Sequence, residues 1–253
     1  MKFYLFNPDF KLLSEMEDAG VVGNLFTYDT KQSDFFTKIA RDIDVHKKIK
    51  YMVAIRPHVL SPEYLVKIHK SIREIAKEDR LQINLISGKI NAEEQEIIRT
   101  LGKITNKSTT IERSNHLIEY VELLNQLPQR EKPDYYVSVT NDFTFETASK
   151  YNNKMIVPYH QYMNNKYDVA DKKIMIYLTP IIRKTQKELD SLEGYEVQNI
   201  EDVKFTHDSM TSLVDRLQSE GIKEIIFSAW NIEDIRKNLD FVKEYNYSKR
   251  GNQ

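Results

Sequence analysis

Short apolar runs of β type alternate with amphipathic stretches along the whole of this chain, and few folds accept such a pattern. Eight runs read as strands: residues 2–7 (KFYLFN), 21–29 (VVGNLFTYD), 51–56 (YMVAIR), 81–86 (LQINLI), 135–139, 154–158, 173–182 and 224–228. Between them apolar residues recur at helical spacing over 10–19, from Phe35 to about Lys48, 114–127, 142–150, 185–192, 208–219 and 232–245. Ser61-Pro62-Glu63 is a strong helix start, a cap followed by Pro at the first position and an acid in the first turn. The helix it opens carries Leu65, Ile68, Ile72 and Ile75 on one expected core face. Gly20 and Gly221 read as helix stops. The stretch between Pro158 and Lys173 is polar and reads as a loop or a short helix.

Strands that alternate with helices imply a parallel sheet. Eight such units in 253 residues, with no linker or repeat, fit a (β/α)8 TIM-type barrel better than an open sheet. The expectation is therefore one barrel domain over residues 1–253.

Composition removes several function classes. There is no cysteine, which excludes disulfide scaffolds, thiolate metal sites and cysteine nucleophiles. A formal charge of −1 argues against a general nucleic-acid backbone binder. No apolar run is long enough to span a bilayer, and the N-terminal MKFYLFNPDF is too short for a signal peptide's apolar region. A cytoplasmic protein with no nucleic-acid or membrane partner is expected. Glycine occurs 7 times, under half the usual share of ~7%. Neither a G-x-G-x-x-G fingerprint nor a G-x-x-x-x-G-K-[ST] loop is present.

In a barrel the reacting groups gather at the carboxyl ends of the strands. Those ends supply Asn7, Thr27 to Asp29, Arg56, His58, Ser87, Thr140, Asn141, Tyr159, His160, Thr179, Arg183, Ser228, Trp230 and Asn231. No His/Asp/Glu set is spaced for a metal, so no metal is expected. Histidines 46, 69, 116 and 207 fall in or beside helices and read as surface residues, whereas His58 and His160 follow strands. Small polar residues beside apolar strand ends suit a flat aromatic cofactor with a phosphate tail. Thr140-Asn141-Asp142, at a helix opening, either offers amide donors to that phosphate or is an ordinary helix cap.

Residues 49–88, IKYMVAIRPHVLSPEYLVKIHKSIREIAKEDRLQINLISG, resemble the core of the luciferase-like flavin monooxygenase superfamily, nearest its alkanesulfonate monooxygenase branch. The matching positions are Val53-Ala54-Ile55-Arg56-Pro57, Ser61-Pro62, Asp79-Arg80-Leu81 and Asn84-Leu85-Ile86-Ser87-Gly88. More diffuse likeness extends over IERSNHLIEYVELL, ASKYNNKMIVP, IYLTPIIRKTQKEL and the segment from Ser212 to Val242. The resemblance implies a barrel that binds reduced FMN from a separate flavin reductase, activates O2 and oxygenates a small organic substrate. Homodimerisation is implied in the same way. On that implication Thr27, Ser87 and the backbone after Arg56 lie by the flavin ring, and Thr140 and Asn141 by the phosphate. Tyr28 and Trp230 wall the ring, and His58 and His160 are candidate catalytic groups for hydrogen bonding to a flavin peroxide or for general acid–base work.

The chain also departs from the family. Its phosphate corner commonly reads Gly-Gly-Ser-Ser, where this chain has Ser138-Val139-Thr140-Asn141 followed by Asp142. A family tyrosine that contacts phosphate is Ser114, and the active-site cysteine of the alkanesulfonate branch falls near Gln32. The long lid insertion is absent, which makes this a trimmed barrel. Two alternatives stay open: a non-catalytic relative that binds flavin or another ligand, and a deazaflavin- or folate-linked reductase on the same fold.

Overall fold

The computed structural model describes residues 1–6, 10–28, 35–57, 59–87, 110–151, 154–192, 202–229 and 231–251, with side chains at 110–115 and 202–203 left aside. In chain order the elements are β1 (Lys2–Phe6), a 3-10 turn (Phe10–Leu12), α1 (Leu13–Ala19), β2 (Gly23–Thr27), α2 (Phe35–Asp42) and β3 (Lys50–Ile55). Then come α3 (Pro62–Ala76), β4 (Leu81–Leu85), α4 (Thr110–Gln126), β5 (Asp134–Ser138), α5 (Asp142–Tyr151), β6 (Lys154–Pro158) and α6 (Tyr159–Met163). The last are β7 (Lys173–Arg183), α7 (Gln186–Asp190), β8 (Asp202–Thr206), α8 (His207–Ser219), β9 (Glu224–Phe227) and α9 (Ile232–Gly251).

The strand order is β6-β5-β4-β3-β2-β1-β9-β7-β8, and β6 also pairs with β7. Eight strands in that cyclic order, each joined to the next through a helix, make the (β/α)8 class expected from the sequence. Strand β8 is additional. The first half of β7 pairs with β9 from Met175 to Leu178, and its second half pairs with β8 from Thr179 to Arg183. Its five residues, DVKFT, alternate polar and apolar with only two apolar positions, a strand signal the sequence reading passed over, and β7's extension supplies their partner. Strand β7 passes into α7 through Lys184 and Thr185 alone, with no inserted lid.

Local signals act where the sequence put them. Ser61 Oγ accepts the Tyr64 amide at the start of α3. Thr185 and Glu188 form a reciprocal capping box on α7. Gly20 closes α1 at φ 77°, a left-handed conformation that glycine enters without a Cβ clash.

The chain divides into two compact units. One comprises Met1–Leu25, Lys48–Lys50 and Val157–Gln253, the other Phe26–Lys47 and Tyr51–Ile156. In the first unit Phe3 packs edge-on against Phe241 and Tyr245 of α9 at 6.3 and 5.5 Å, with Phe227 beside it at 5.6 Å. On the other face of β1, Tyr4 lies over Gly23, where an added Cβ would sit 2.6 Å from the ring. At the amino ends of these strands Glu224 is held between Lys2 at 3.6 Å and Lys173 at 3.9 Å.

In the second unit Phe26 meets Phe35 of α2 at 5.8 Å and stacks on Tyr51 at 6.2 Å. Arg80 is buried, its Nη1 donating to the Ile43 carbonyl at 2.8 Å and its guanidinium lying 5.6 Å from the Tyr51 ring centre. Helix α3 corrects the sequence reading. Its buried stripe is Leu65, His69 and Ile72, whereas Ile75 is exposed. Positions i, i+4 and i+7 share a face, so the histidine occupies the core position expected for an isoleucine. Reading His69 as a surface residue was wrong: it is 3% exposed. Its imidazole is pushed below the usual 6.5 mainly by burial, against the opposing pull of Asp79, whose Oδ1 is 3.4 Å from Nε2. Beside it, Lys70, Arg73, Lys77, Arg130 and Glu131 border a surface cleft of about 660 Å3.

Candidate functional site

The second unit brings together the carboxyl ends of β2, β3, β4 and β5. Contacts to helices identify one face of these strands: Phe26 touches Phe35, Tyr51 stacks on Phe26, and the Tyr135 hydroxyl donates to Asn125 Oδ1 on α4 at 2.9 Å. Successive side chains alternate across a strand. Thr27, Met52, Ala54, Gln82, Asn84, Asp134, Tyr136 and Ser138 therefore form the opposite, inward row, and the register Ala54–Asn84–Tyr136 aligns three of them. Arg56 continues that row one residue beyond β3.

The row carries an ion pair at its amino end, and at its carboxyl end neutral polar groups with Arg56 beyond them. At the amino ends Gln82 Nε2 donates to Asp134 Oδ2 at 2.9 Å, and Asp134 is ion-paired with Lys154. Lys132, on the approach to β5, is held below the usual lysine range by burial and by the like charge of Lys154. At the carboxyl ends the Ser138 hydroxyl donates to Asn84 Oδ1 at 2.9 Å. An amide fixed through its oxygen keeps its two N–H donors for another partner. Backbone bonds from Tyr28 to Ala54 at 2.9 Å, Ile86 to Ile55 at 3.0 Å and Val139 to Ile156 at 2.9 Å carry the pairing past the strand ends and hold them together.

Of the residues named from sequence, Thr27 and Arg56 belong to this inward row, Thr27 at the end of β2 and Arg56 half-buried after β3. Ser87 is half-buried two residues beyond β4, where alternation from Asn84 gives the inward position to Ile86. Tyr28 rests its ring on Phe36 of α2 at 5.7 Å. Asn84 was not among the expected site residues. Its signal was present as two polar residues, Gln82 and Asn84, at alternate positions of an otherwise apolar run.

Thr140 and Asn141 form a helix cap. The buried Thr144 Oγ1 accepts the backbone N–H of Thr140 at 2.9 Å and of Asn141 at 3.1 Å, and itself donates to the Asn141 carbonyl. Asn141 Oδ1 accepts the Thr144 amide at 2.9 Å. Asp142 stands exposed in the first turn. The Thr140 and Asn141 amides that were to meet a phosphate are thus bound within the cap, with the Asp142 carboxylate alongside. These residues do not fit the phosphate of FMN.

The first unit holds the other described candidates. His160 is half-buried in the short helix α6. Arg183 is ion-paired with Asp234 at 2.9 Å, both side chains at least nine-tenths buried, and Asn231 Nδ2 donates to the other Asp234 oxygen at 2.8 Å. Thr179 is buried in β7, and Asn238 Nδ2 reaches the Ser228 carbonyl at 3.4 Å. His58, Trp230, Asn7, Asp29 and Gln32, and the side chain of Ser114, lie outside the described residues.

No protein-family model matches the chain, and no curated protein matches it. Solved structures do. A riboflavin lyase, solved with modified FMN and the substrate riboflavin, has TM-score 0.71 at 10% identity, with 99% of this chain and 92% of that one covered. An EDTA monooxygenase from Chelativorans sp. BNC1 has TM-score 0.67 at 10% identity, covering 98% and 94%. A coenzyme F420 dependent tetrahydromethanopterin reductase from Methanopyrus kandleri has TM-score 0.60 at 11% identity, covering 96% of each chain. At such identities the likeness is one of fold, and it extends over nearly the full length of this chain.

Proposed function

We propose that this chain is a flavin-handling redox barrel. It holds the ring of a reduced flavin, supplied by a separate reductase, beside a small organic substrate that is oxygenated with O2. The observation that carries the reading is the uncharged polar row at the strand carboxyl ends, Thr27, Asn84 and Ser138 with Arg56 beside them. It belongs to a fold shared with an EDTA monooxygenase and a riboflavin lyase. A flat heteroaromatic ring with carbonyl and N–H groups along one edge calls for fixed donors and acceptors against an apolar wall.

When bound, the reduced ring supplies the electrons for O2 chemistry, which belongs to the cofactor. The chain positions and shields. Asn84 donates to a ring carbonyl while Ser138 fixes its orientation. Thr27 adds a hydroxyl, and Arg56 favours an electron-rich ring. Met52 and Ala54, buried in the same row, keep water from that face. His58 and His160 serve as proton donors and Ser87 and Trp230 as ring contacts, as the family likeness implies. The alkanesulfonate branch and pairing as a homodimer enter on the same ground.

Anaerobic titration with reduced flavins, followed by absorbance, tests the reading. A dissociation constant below millimolar is expected, weakened about tenfold or more in Asn84→Leu with an unchanged circular dichroism spectrum. Failure of every flavin to bind overturns it. The Methanopyrus kandleri reductase structure favours a second reading, hydride transfer with a deazaflavin. Substrate reduction without O2 uptake would select that one.

A further inference from the structure

A phosphate on a ligand is most readily held by free backbone N–H groups at a helix start, by a cluster of cations, or by both. In the second unit α3 and α5 follow the ends of β3 and β5, and a side-chain cap engages amides at each start. At α3 Ser61 Oγ takes the Tyr64 amide and Glu63 lies in the first turn. At α5 the Thr144 hydroxyl takes two amides, Asn141 takes a third, and Asp142 lies in the first turn. Among the described residues at these strand ends, the cation is Arg56, in the inward row rather than at a helix start. In the first unit three helices repeat the arrangement, Thr185 with Glu188 on α7, Thr206 with Ser209 and Asp208 on α8, and Asn231 with Asp234 and Glu233 on α9. By contrast, α1 after Leu12 and the five-residue α6 after Pro158 start without a side-chain cap.

We propose that the strand-end site takes a flavin without its phosphate, a riboflavin-type ligand, and that the start of α5 excludes FMN through the Thr144 cap and the Asp142 carboxylate. This rests on the flavin reading above and narrows it. The Thr140 and Asn141 amides are already bound to Thr144, whose hydroxyl is buried, so a phosphate must break that cap to reach them. The exposed Asp142 carboxylate repels a phosphate dianion at short range. A ribityl chain ending in a hydroxyl meets neither obstacle, because it is neutral and both donates and accepts.

The test is a paired anaerobic titration of the full chain with reduced riboflavin and with reduced FMN under identical conditions, read by absorbance. Riboflavin should bind about tenfold tighter or more, and the gap should shrink as salt is raised, because salt weakens the repulsion of FMN alone. Asp142→Asn, an exposed isosteric change, should strengthen FMN binding several-fold and leave riboflavin binding as it was. Thr144→Ala should do the same by freeing the amides, but it also weakens the helix, so Asp142→Asn is the deciding variant. FMN binding as tightly as riboflavin, or an Asp142→Asn ratio equal to that of the unaltered chain, overturns this inference and leaves the flavin reading in place. Binding of neither ligand overturns the flavin reading itself and this inference with it.

Discussion

Tyr4 and Gly23 show how little freedom single positions have. The ring of Tyr4 is 1% exposed and crosses the backbone of β2 at Gly23, with the Lys50 carbonyl 3.0 Å from where a Cβ would stand. Gly23→Ala should therefore cost about 1–3 kcal/mol, seen as a lowered midpoint in chemical denaturation. Replacing Tyr4 by Leu in the same chain should restore part of the loss, and an additive double variant would show that the ring is not the obstacle. In a chain with so few glycines, this one is kept because an aromatic side chain occupies the space above it. Asn84 is constrained differently: Ser138 uses its oxygen and so decides which way its donors point.

At the scale of elements, α3 and α5 carry the main corrections. Helix α3 turns His69 inward, where burial favours the neutral imidazole. The unfolded chain takes up a proton below its ordinary 6.5 that the folded chain resists. The stability contributed by His69 is whole above that pH and is lost as the pH falls beneath it. Thermal midpoints between about pH 7.5 and 5.5 should fall less in His69→Gln than in the unaltered chain. Equal slopes would mean that His69 does not govern the change. Asp79, Arg73 and the Glu131 backbone face this ring and are retained in the comparison. Helix α5 shows the other outcome. The sequence left its start open between a phosphate cradle and a plain cap, and Thr144, one turn into the helix, joins Asn141 in closing it.

For the whole molecule, the two ends of the strands differ in kind. Amino ends carry ion pairs, Asp134 with Lys154 in one unit and Glu224 with Lys2 and Lys173 in the other. Carboxyl ends in the second unit carry the neutral pair Asn84–Ser138. Charge does reach the carboxyl ends at Arg56 in the second unit and, in the first, at Arg183, whose buried pair with Asp234 braces α9 against the end of β7. Removing one partner of a buried pair strands the other charge, so Arg183→Met should cost about 3–5 kcal/mol. A thermal midpoint within a degree or two of the unaltered chain would contradict that role. No described helix is long and apolar enough to cross a membrane.

Local order was legible in the residues themselves. The strand and helix periods, the stop at Gly20 and the Ser61-Pro62 start each depend on neighbours within one or two turns, so they survive in a one-dimensional reading. The order of eight strands followed from their alternation with helices, and the class of fold with it. Strand β8 escaped because its alternation, DVKFT, offers only two apolar positions, and its partner, the second half of β7, lies some twenty residues away. What only the tertiary structure decided is which polar groups already have partners. Ser138 meets Asn84 across 54 residues of sequence, Arg183 meets Asp234, and His69 faces a core rather than water. Sequence period tells which face a side chain belongs to, but hydrogen bonding and burial depend on register between distant segments, and that is set only when the strands pair.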